Sequence, residues 1–231
     1  MRVLSWNLFH GRAVPGGGRS LLDAFAAALA GWAWDVALLQ EVPPWWPEPL
    51  ARAAGASARS VLTSRNALLP VRRWIAERRP DLIKSNGGGA NAILVRDQRI
   101  LEHRIHTLRR WPERRVVHGV RLEGGWWVGN LHAQAHSEER AQADVAEAAS
   151  STILWSQGAP AILGGDMNTR HPLAPGFAPV AGHSVDHIML RGLEAGAPSR
   201  TLDHGGLSDH APVLADVRPR KDQASEASLA A

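Results

Sequence analysis

The 231-residue sequence predicts a layered α/β domain, on three observations. It opens strand, helix, strand; buried-strand patterns recur along its length between turn residues and helical stretches; and neither a linker nor a fixed-period repeat divides it. A chain of this length can bury a large core as one domain. One domain is expected over residues 1–217, with the polar, alanine-rich segment 218–231 expected to be a disordered tail.

Arg2 to Phe9 alternates apolar and polar residues as a half-buried strand does, and Leu21 to Ala30 is alanine-rich and helical in character. Asp35 to Val42 reads as a buried strand closing on Gln40-Glu41, after which Pro43, Pro44 and Pro47 punctuate the exit. Val61 to Thr63 reads as a short strand and Val71 to Arg79 as an exposed, arginine-bearing helix ended by Pro80. Gly87-Gly88-Gly89 reads as a flexible loop beside the functional edge. Beyond it come a strand at Ala92 to Val95 and a hairpin of Val116 to Leu122 with Trp126 to Leu131 around Gly124-Gly125. Ser137 is the expected N-cap of a helix running to about Gln157, with Glu138 and Glu139 in its first turn, where the helix dipole favours acids. Ala161 to Leu163 reads as a buried strand that delivers Gly164-Gly165-Asp166-Met167-Asn168 onto a loop. Two last strands, Ser184 to Leu190 and Pro212 to Val217, each sit beside an Asp-His dipeptide.

Composition narrows the chemistry. The chain has no cysteine, which excludes disulfides, zinc thiolate sites and thiol nucleophiles and fits a reducing compartment. No apolar run approaches the ~20 residues that span a bilayer, and the motif-bearing strand at residues 1–8 leaves no signal segment, so the protein is expected to be cytoplasmic. A sequence pI near 10.8 overstates its basicity: the net charge is +4, and with no tyrosine or cysteine almost nothing titrates between histidine and arginine. The distribution says more. Between Arg59 and Arg115 there are 14 basic and 5 acidic residues, a net of +9, against −5 for the remainder. A basic middle segment set against an acidic remainder suits a polyanionic substrate drawn to a metal site. An ordinary arginine-rich solvated surface accounts for the same count.

Acids, amides and imidazoles recur at the ends of predicted buried strands: Asn7, Glu41, Asn130 and His132, Asp166 and Asn168, and Asp209-His210 before the last strand. Strand ends on one edge of a sheet converge. A hard divalent cation takes oxygen ligands, which Glu41, Asn7 and Asp209 offer. In-line attack on phosphorus also needs a group to orient and deprotonate water, for which Asp166 suits, and donors for the non-bridging oxygens, which His132, His210 and Asn168 supply. His132 and His136 are four apart, but His132 ends a strand, so helical zinc-ligand geometry is not expected.

Six segments, Ser5-Trp6-Asn7, Gln40-Glu41, Asn130-Leu131-His132, Gly165-Asp166-Met167-Asn168, Val185-Asp186-His187-Ile188 and Ser208-Asp209-His210-Ala211-Pro212, together resemble the endonuclease/exonuclease/phosphatase superfamily, in order and over residues 5–212. The resemblance implies a four-layer α/β sandwich, two mixed β-sheets packed face to face with helices outside, and a site at one edge. It implies Glu41, Asn7 and Asp209 as ligands of Mg2+ or Mn2+, Asp166 as the group that activates water, Asn168 as a residue that holds the phosphate or the nucleophile, and His210 as the residue that binds the phosphoryl oxygen. Asp186 would orient His210, and His132 would donate to the phosphate or the leaving oxygen. The Asn-Leu-His segment is similar to deoxyribonuclease I-like members, whereas the absence of tyrosine departs from exonuclease III-type repair enzymes. The glutamate that partners the histidine in deoxyribonuclease I has no clear counterpart, Glu102 and Glu113 both being open. The substrate expected from the charge pattern is nucleic acid, DNA before RNA, with a small or lipid phosphate ester as the alternative. A monomer with no membrane span is expected.

Overall fold

The computed structural model describes residues 1–64, 66–83 and 89–220. Gly87 and Gly88 of the expected loop, and residues 221–231 of the expected tail, lie outside the described residues. Two six-stranded mixed sheets form the body. The first contains β1 (Arg2–Asn7), β2 (Val36–Val42), β3 (Ser57–Leu62), β4 (Ala90–Val95), β11 (Leu193–Thr201) and β12 (Val213–Pro219), in the order β11-β12-β1-β2-β4-β3. The second contains β5 (Ile100–Arg109), β6 (Arg115–Leu122), β7 (Trp127–His132), β8 (Ala161–Asp166), β9 (Ala178–His183) and β10 (Asp186–Arg191), in the order β5-β6-β7-β8-β10-β9. Among the described residues, only β1 with β2 and β7 with β8 pair in parallel. Helices α1 (Leu22–Gly31) and α2 (Pro47–Ala53) cover the outer face of the first sheet through Phe25, Leu29 and Leu50. The outer face of the second is covered by α5 (Glu138–Ser156) through Ala141, Val145, Ala148 and Trp155. The expected four layers are therefore present. No described helix is long and apolar enough to cross a membrane.

Local chemistry explains most boundaries. The Ser137 hydroxyl accepts from the Arg140 amide at 3.3 Å, and α5 ends where Gln157 turns left-handed. Helix α2 occupies the stretch read from its prolines as an irregular exit; Pro47 stands in its first turn, where a missing N–H costs nothing. Strand β8 runs to Asp166, so Gly164 and Gly165 belong to the sheet rather than to a loop. At Gly165, φ is +139° and an added Cβ would stand 1.9 Å from the Leu131 carbonyl oxygen, so only glycine lets β8 lie so close to β7. Strand β12 runs to Pro219, two residues into the segment expected as a tail.

Between the sheets, the two-residue period of each strand sets the inward-facing residues, and their character changes along the strand. Val3, Val36, Val128, Ile162, Leu190 and Val217 belong to a shared apolar core. Two to four residues on, the inward positions become Ser5 and Asn7, Gln40, Asn130 and His132, Asp166, and Asp186. Asn130, expected at the functional edge, is instead buried as a tie between the sheets. Its amide nitrogen donates to Leu39 O (3.0 Å) and Ala92 O (2.9 Å), and its oxygen accepts from Gln40 Nε2 (2.8 Å).

Asn130→Leu should lower the unfolding free energy by at least ~2 kcal/mol in urea denaturation, because each buried group left unpaired costs about 1–3 kcal/mol. Beside Asn130, His118 is fully buried, and burial, reinforced by His103 3.1 Å away, lowers its pKa from 6.5 to about 3. The unfolded chain binds this proton below pH 6.5 and the folded chain only near pH 3, so the stability from neutral His118 is complete above 6.5 and is lost as pH falls through that window. His118→Gln should flatten the acid limb of stability against pH by up to ~1.4 kcal/mol per pH unit relative to wild type, measured by denaturation at each pH.

Candidate active site

The sheet edge at which the inward positions turn polar carries the candidate site. Asn7 ends β1, His132 ends β7 and Asp166 ends β8, while antiparallel β10 begins with Asp186 and the loop before β12 brings in Asp209 and His210. Glu41 arrives differently. The pairing of β2 with β4 shifts register between Leu39 and Val42, and Glu41 stands in the left-handed region at φ +50°. Leu39 and Val42 both pack on the outer core, three residues apart rather than two, so the bulge turns the intervening Glu41 carboxylate toward the cleft.

Asp166 lies at the centre. Its Oδ2 accepts from Asn7 Nδ2 at 2.9 Å and its Oδ1 from the Asn168 amide at 2.9 Å. His132 Nε2 is 3.6 Å from Asp166 Oδ2 and 3.8 Å from Glu41 Oε1. His210 Nδ1 is bonded to Asp186 Oδ2 at 2.7 Å, which turns Nε2 to 3.9 Å from both Asp166 Oδ2 and Asp209 Oδ1. Asn168 ties its amide nitrogen to Ala133 O at 2.9 Å. The Asn7 amide oxygen accepts from the Phe9 N–H at 2.9 Å, so its amide is engaged on both sides. Of the residues singled out by sequence, Glu41, His132, Asp166, Asn168, Asp209 and His210 line one open cleft of about 260 Å³. Asn7 and Asp186 stand behind it, bonded to Asp166 and His210.

Burial, reinforced by the charge of Asp186, raises the Asp166 carboxyl to about 7 against the opposing pull of His210, Asn7 and the Asn168 amide. Burial also raises Asp186, against the hydrogen bond and charge of His210. For His210, burial works against the charged ring, but Asp186, Asp166 and Asp209 outweigh it and raise the ring to about 9. The short Nδ1 to Oδ2 contact holds an imidazolium against a carboxylate. His132 is driven well below 6.5 by burial, helped by Arg115, His10 and His210, and is a neutral ring. One edge thus holds a poised carboxyl, a charged imidazolium and a neutral imidazole.

His10 and Arg12 carry no signal in the sequence, whereas Ser208 stands in the Ser-Asp-His segment and Glu113 is one of the two glutamates left open. His10 Nε2 stands 3.0 Å from Glu41 Oε2, on a 3-10 turn (Phe9–Gly11) in which Phe9, His10 and Gly11 all have positive φ. Arg12 lines the cleft with its guanidinium 3.6 Å from the centre of the Phe9 ring. The Ser208 hydroxyl donates to Asn7 O at 2.6 Å and accepts from the His210 amide at 3.1 Å, tying the Asp-His loop to β1. Glu113 and Arg115 form an ion pair in the cleft wall, whereas Glu102 pairs with Arg104 and Arg121 on the outer strands. The tryptophans with large exposure are Trp74 and Trp111; Trp46 and Trp127 are buried in the core.

Oxygen donors for a hard cation reach the cleft from Glu41 and Asp209. Asp166, Asp186 and His210 also lie within 4.8 Å of one another and could hold an ion, but the bond between His210 and Asp186 already occupies one ligand atom of each.

The model of the Endonuclease/Exonuclease/phosphatase family matches residues 4–210. A solved endonuclease/exonuclease/phosphatase from Beutenbergia cavernae superposes with a TM-score of 0.70 at 19% identity, covering 95% of this chain and 71% of that one. TDP2 from Caenorhabditis elegans superposes at 0.65 with 17% identity, covering 93% and 73%. The human Nocturnin catalytic domain with bound sulfate superposes at 0.65 with 18% identity, covering 95% and 94%. No curated protein matches the sequence significantly.

Asp186→Asn removes the charge that holds His210 protonated while keeping a hydrogen-bonding side chain. The His210 titration, followed by NMR of its ring, should move down by a unit or more from about 9. An unmoved titration would take Asp186 out of that role.

Proposed function

Since the chain belongs to the endonuclease/exonuclease/phosphatase family, which includes nucleases and phosphatases, we propose that it is a divalent-metal-dependent phosphoesterase that cleaves phosphodiesters by in-line attack of water. The observation that carries the reading is Asp166 and His210 facing one another across the cleft, each fixed from behind, Asp166 by Asn7 and His210 by Asp186. Glu41, with Asp209 and the second lone pair of the Asn7 amide oxygen that accepts from Phe9, would hold Mg2+ or Mn2+, which when bound withdraws charge from the phosphoryl oxygens.

In this proposal Asp166 orients the attacking water and takes its proton. His210, held by Asp186, donates from Nε2 to a non-bridging oxygen as charge develops there. Asn168 contacts the phosphate, His132 as a neutral ring donates its N–H in a hydrogen bond to the phosphate, and the leaving oxygen takes its proton from solvent.

Nucleic acid is the first substrate class, with DNA before RNA, in keeping with the basic middle segment. Part of that basicity is spent internally, however. Arg96 donates to Leu29 O, Trp32 O and Ala54 O at 2.8–2.9 Å, and Arg99, Arg109 and Arg115 pair with Glu123, Asp144 and Glu113.

A second reading, a lipid phosphate ester, is favoured by the excursion between β3 and β4. These strands pair directly, with Leu62 opposite Ala90 and the Thr63 amide bonded to Gly89 O. A hairpin needs two to five residues there, yet the chain inserts α3 (Leu69–Arg78) and α4 (Pro80–Ile83). No residue of α3 is buried, and Leu68 (75% exposed), Val71, Trp74 and Leu82 (72%) present apolar surface among Arg73, Arg78 and Arg79. Aliphatic side chains do not stack on bases, whereas a lipid interface accepts them together with tryptophan and arginine.

Supercoiled plasmid should be nicked with Mg2+ or Mn2+, not in chelator, and the rate should fall at least ~100-fold in Asp166→Ala or His210→Ala. Substrate affinity should drop steeply with salt if several arginines contact phosphates. No nicking, together with phosphate-ester release from anionic phospholipid vesicles that is weakened by Trp74→Ala, would move the assignment to the lipid ester.

A further inference from the structure

The turn from Phe9 to Arg12 is built in a way that packing alone does not require. Phe9 (φ +48°), His10 (φ +53°, ψ +29°) and Gly11 (φ +75°) are three successive left-handed residues, two of them bearing side chains for which that region is unfavourable. Gly11 is fitted to its place: a Cβ there would stand 2.3 Å from the Trp46 ring. The turn is held at both ends. Phe9 N donates to the Asn7 side chain, and beyond the turn Arg12 O accepts from Ser208 N and Val14 N donates to Gly206 O, both at 2.9 Å, with Ala13 bridged to Leu207. This segment therefore joins the strand end that carries Asn7 to the loop that carries Asp209 and His210.

Its product is the placement of one ring. His10 Nε2 lies 3.0 Å from Glu41 Oε2, a separation at which an imidazole N–H donates to a carboxylate. Both side chains are largely but not wholly buried, at 12% and 21% exposure. Glu41 itself sits in a left-handed conformation on a strand bulge, so its carboxylate is set by two backbone irregularities from separate segments, one carrying it and the other carrying its partner. Strained backbone that surrounding contacts over-determine concentrates at functional sites.

We propose that His10 is the positioning residue of the metal site: it holds Glu41 Oε2 and so presents Oε1 to a divalent cation. The inference rests on the metal-dependent reading above. A hydrogen bond to a ligating carboxylate fixes its orientation and is worth about 10–100-fold in metal affinity when it is removed. Because the role needs a donor at the place of Nε2 rather than an imidazole as such, glutamine, whose amide nitrogen reaches as far from the backbone as Nε2 does, should substitute for it.

The test is Mn2+ affinity, read from the free-ion signal in electron paramagnetic resonance, for wild type, His10→Gly and His10→Gln, with thermal melts of all three. His10→Gly keeps the backbone freedom and removes the donor; it should weaken Mn2+ binding about 10–100-fold with an unchanged melting temperature. His10→Gln should recover most of the loss. Wild-type affinity in His10→Gly, equal losses in the glycine and glutamine variants, or loss of the fold in both would overturn the proposal. A wild-type protein that binds no Mn2+ would sink the metal-dependent reading along with it. Binding by wild type that is unaltered in His10→Gly would sink the positioning role alone.

Discussion

Everything at the site depends on a change of polarity inside the sandwich. Two sheets packed face to face share one interior, and a polar group there costs free energy unless another polar group meets it. The strands meet that constraint together. Where β1, β2, β7, β8 and β10 turn from valine, leucine and isoleucine to serine, asparagine, glutamine and aspartate, they do so at the same level of the stack. Asn130 then accepts from Gln40 across the gap, and Asp166 accepts from Asn7. The bonds that hold the sheets in register at this end are therefore also the bonds that orient the groups at the cleft.

The same constraint sets the electrostatics. Asp166 is raised to about 7 because it lies where apolar layers approach and water is scarce, beside the charge of Asp186, whereas for His210 burial works the other way and the neighbouring Asp186, Asp166 and Asp209 carry the ring up to about 9. On an exposed loop the same three residues would titrate near their ordinary values. Supporting residues matter for this reason. Ser208 fixes the His210 loop to the end of β1, and the left-handed turn after β1 brings His10 to Glu41.

Legibility followed burial. Central strands β1, β2, β4, β7, β8, β10 and β12 announce themselves in apolar runs, because both of their faces are covered. The edge strands do not. Strands β5 and β9 border one sheet and β11 and β3 the other. Of these, β5, β9 and β11 are absent from the sequence reading and β3 is reduced to its last residues. Segments such as Ile100–Arg109 and Leu193–Thr201 have few buried residues and are rich in arginine, histidine, glycine or proline, so they show no two-residue apolar period. Their strand character comes from a neighbour's unpaired backbone, which no local pattern contains.

The sequence by itself determined the layered α/β class, the family resemblance and the residues that gather at one sheet edge, because strand ends are readable wherever an apolar run stops at an acid or an amide. Tertiary structure decided which of those residues face the cleft and which hold the sheets together. Asn130 became a cross-sheet tie, Arg96 a cap on the carbonyls of Leu29 and Trp32, and Glu41 a cleft residue through a bulge. It also brought in His10 and Arg12, placed Glu113 rather than Glu102 in the cleft wall, and tied Ser208 to Asn7 from about 200 residues away in the chain. Spacing along one strand specifies a face, but a partner across a sheet or a bulge is specified only by the pairing of distant segments.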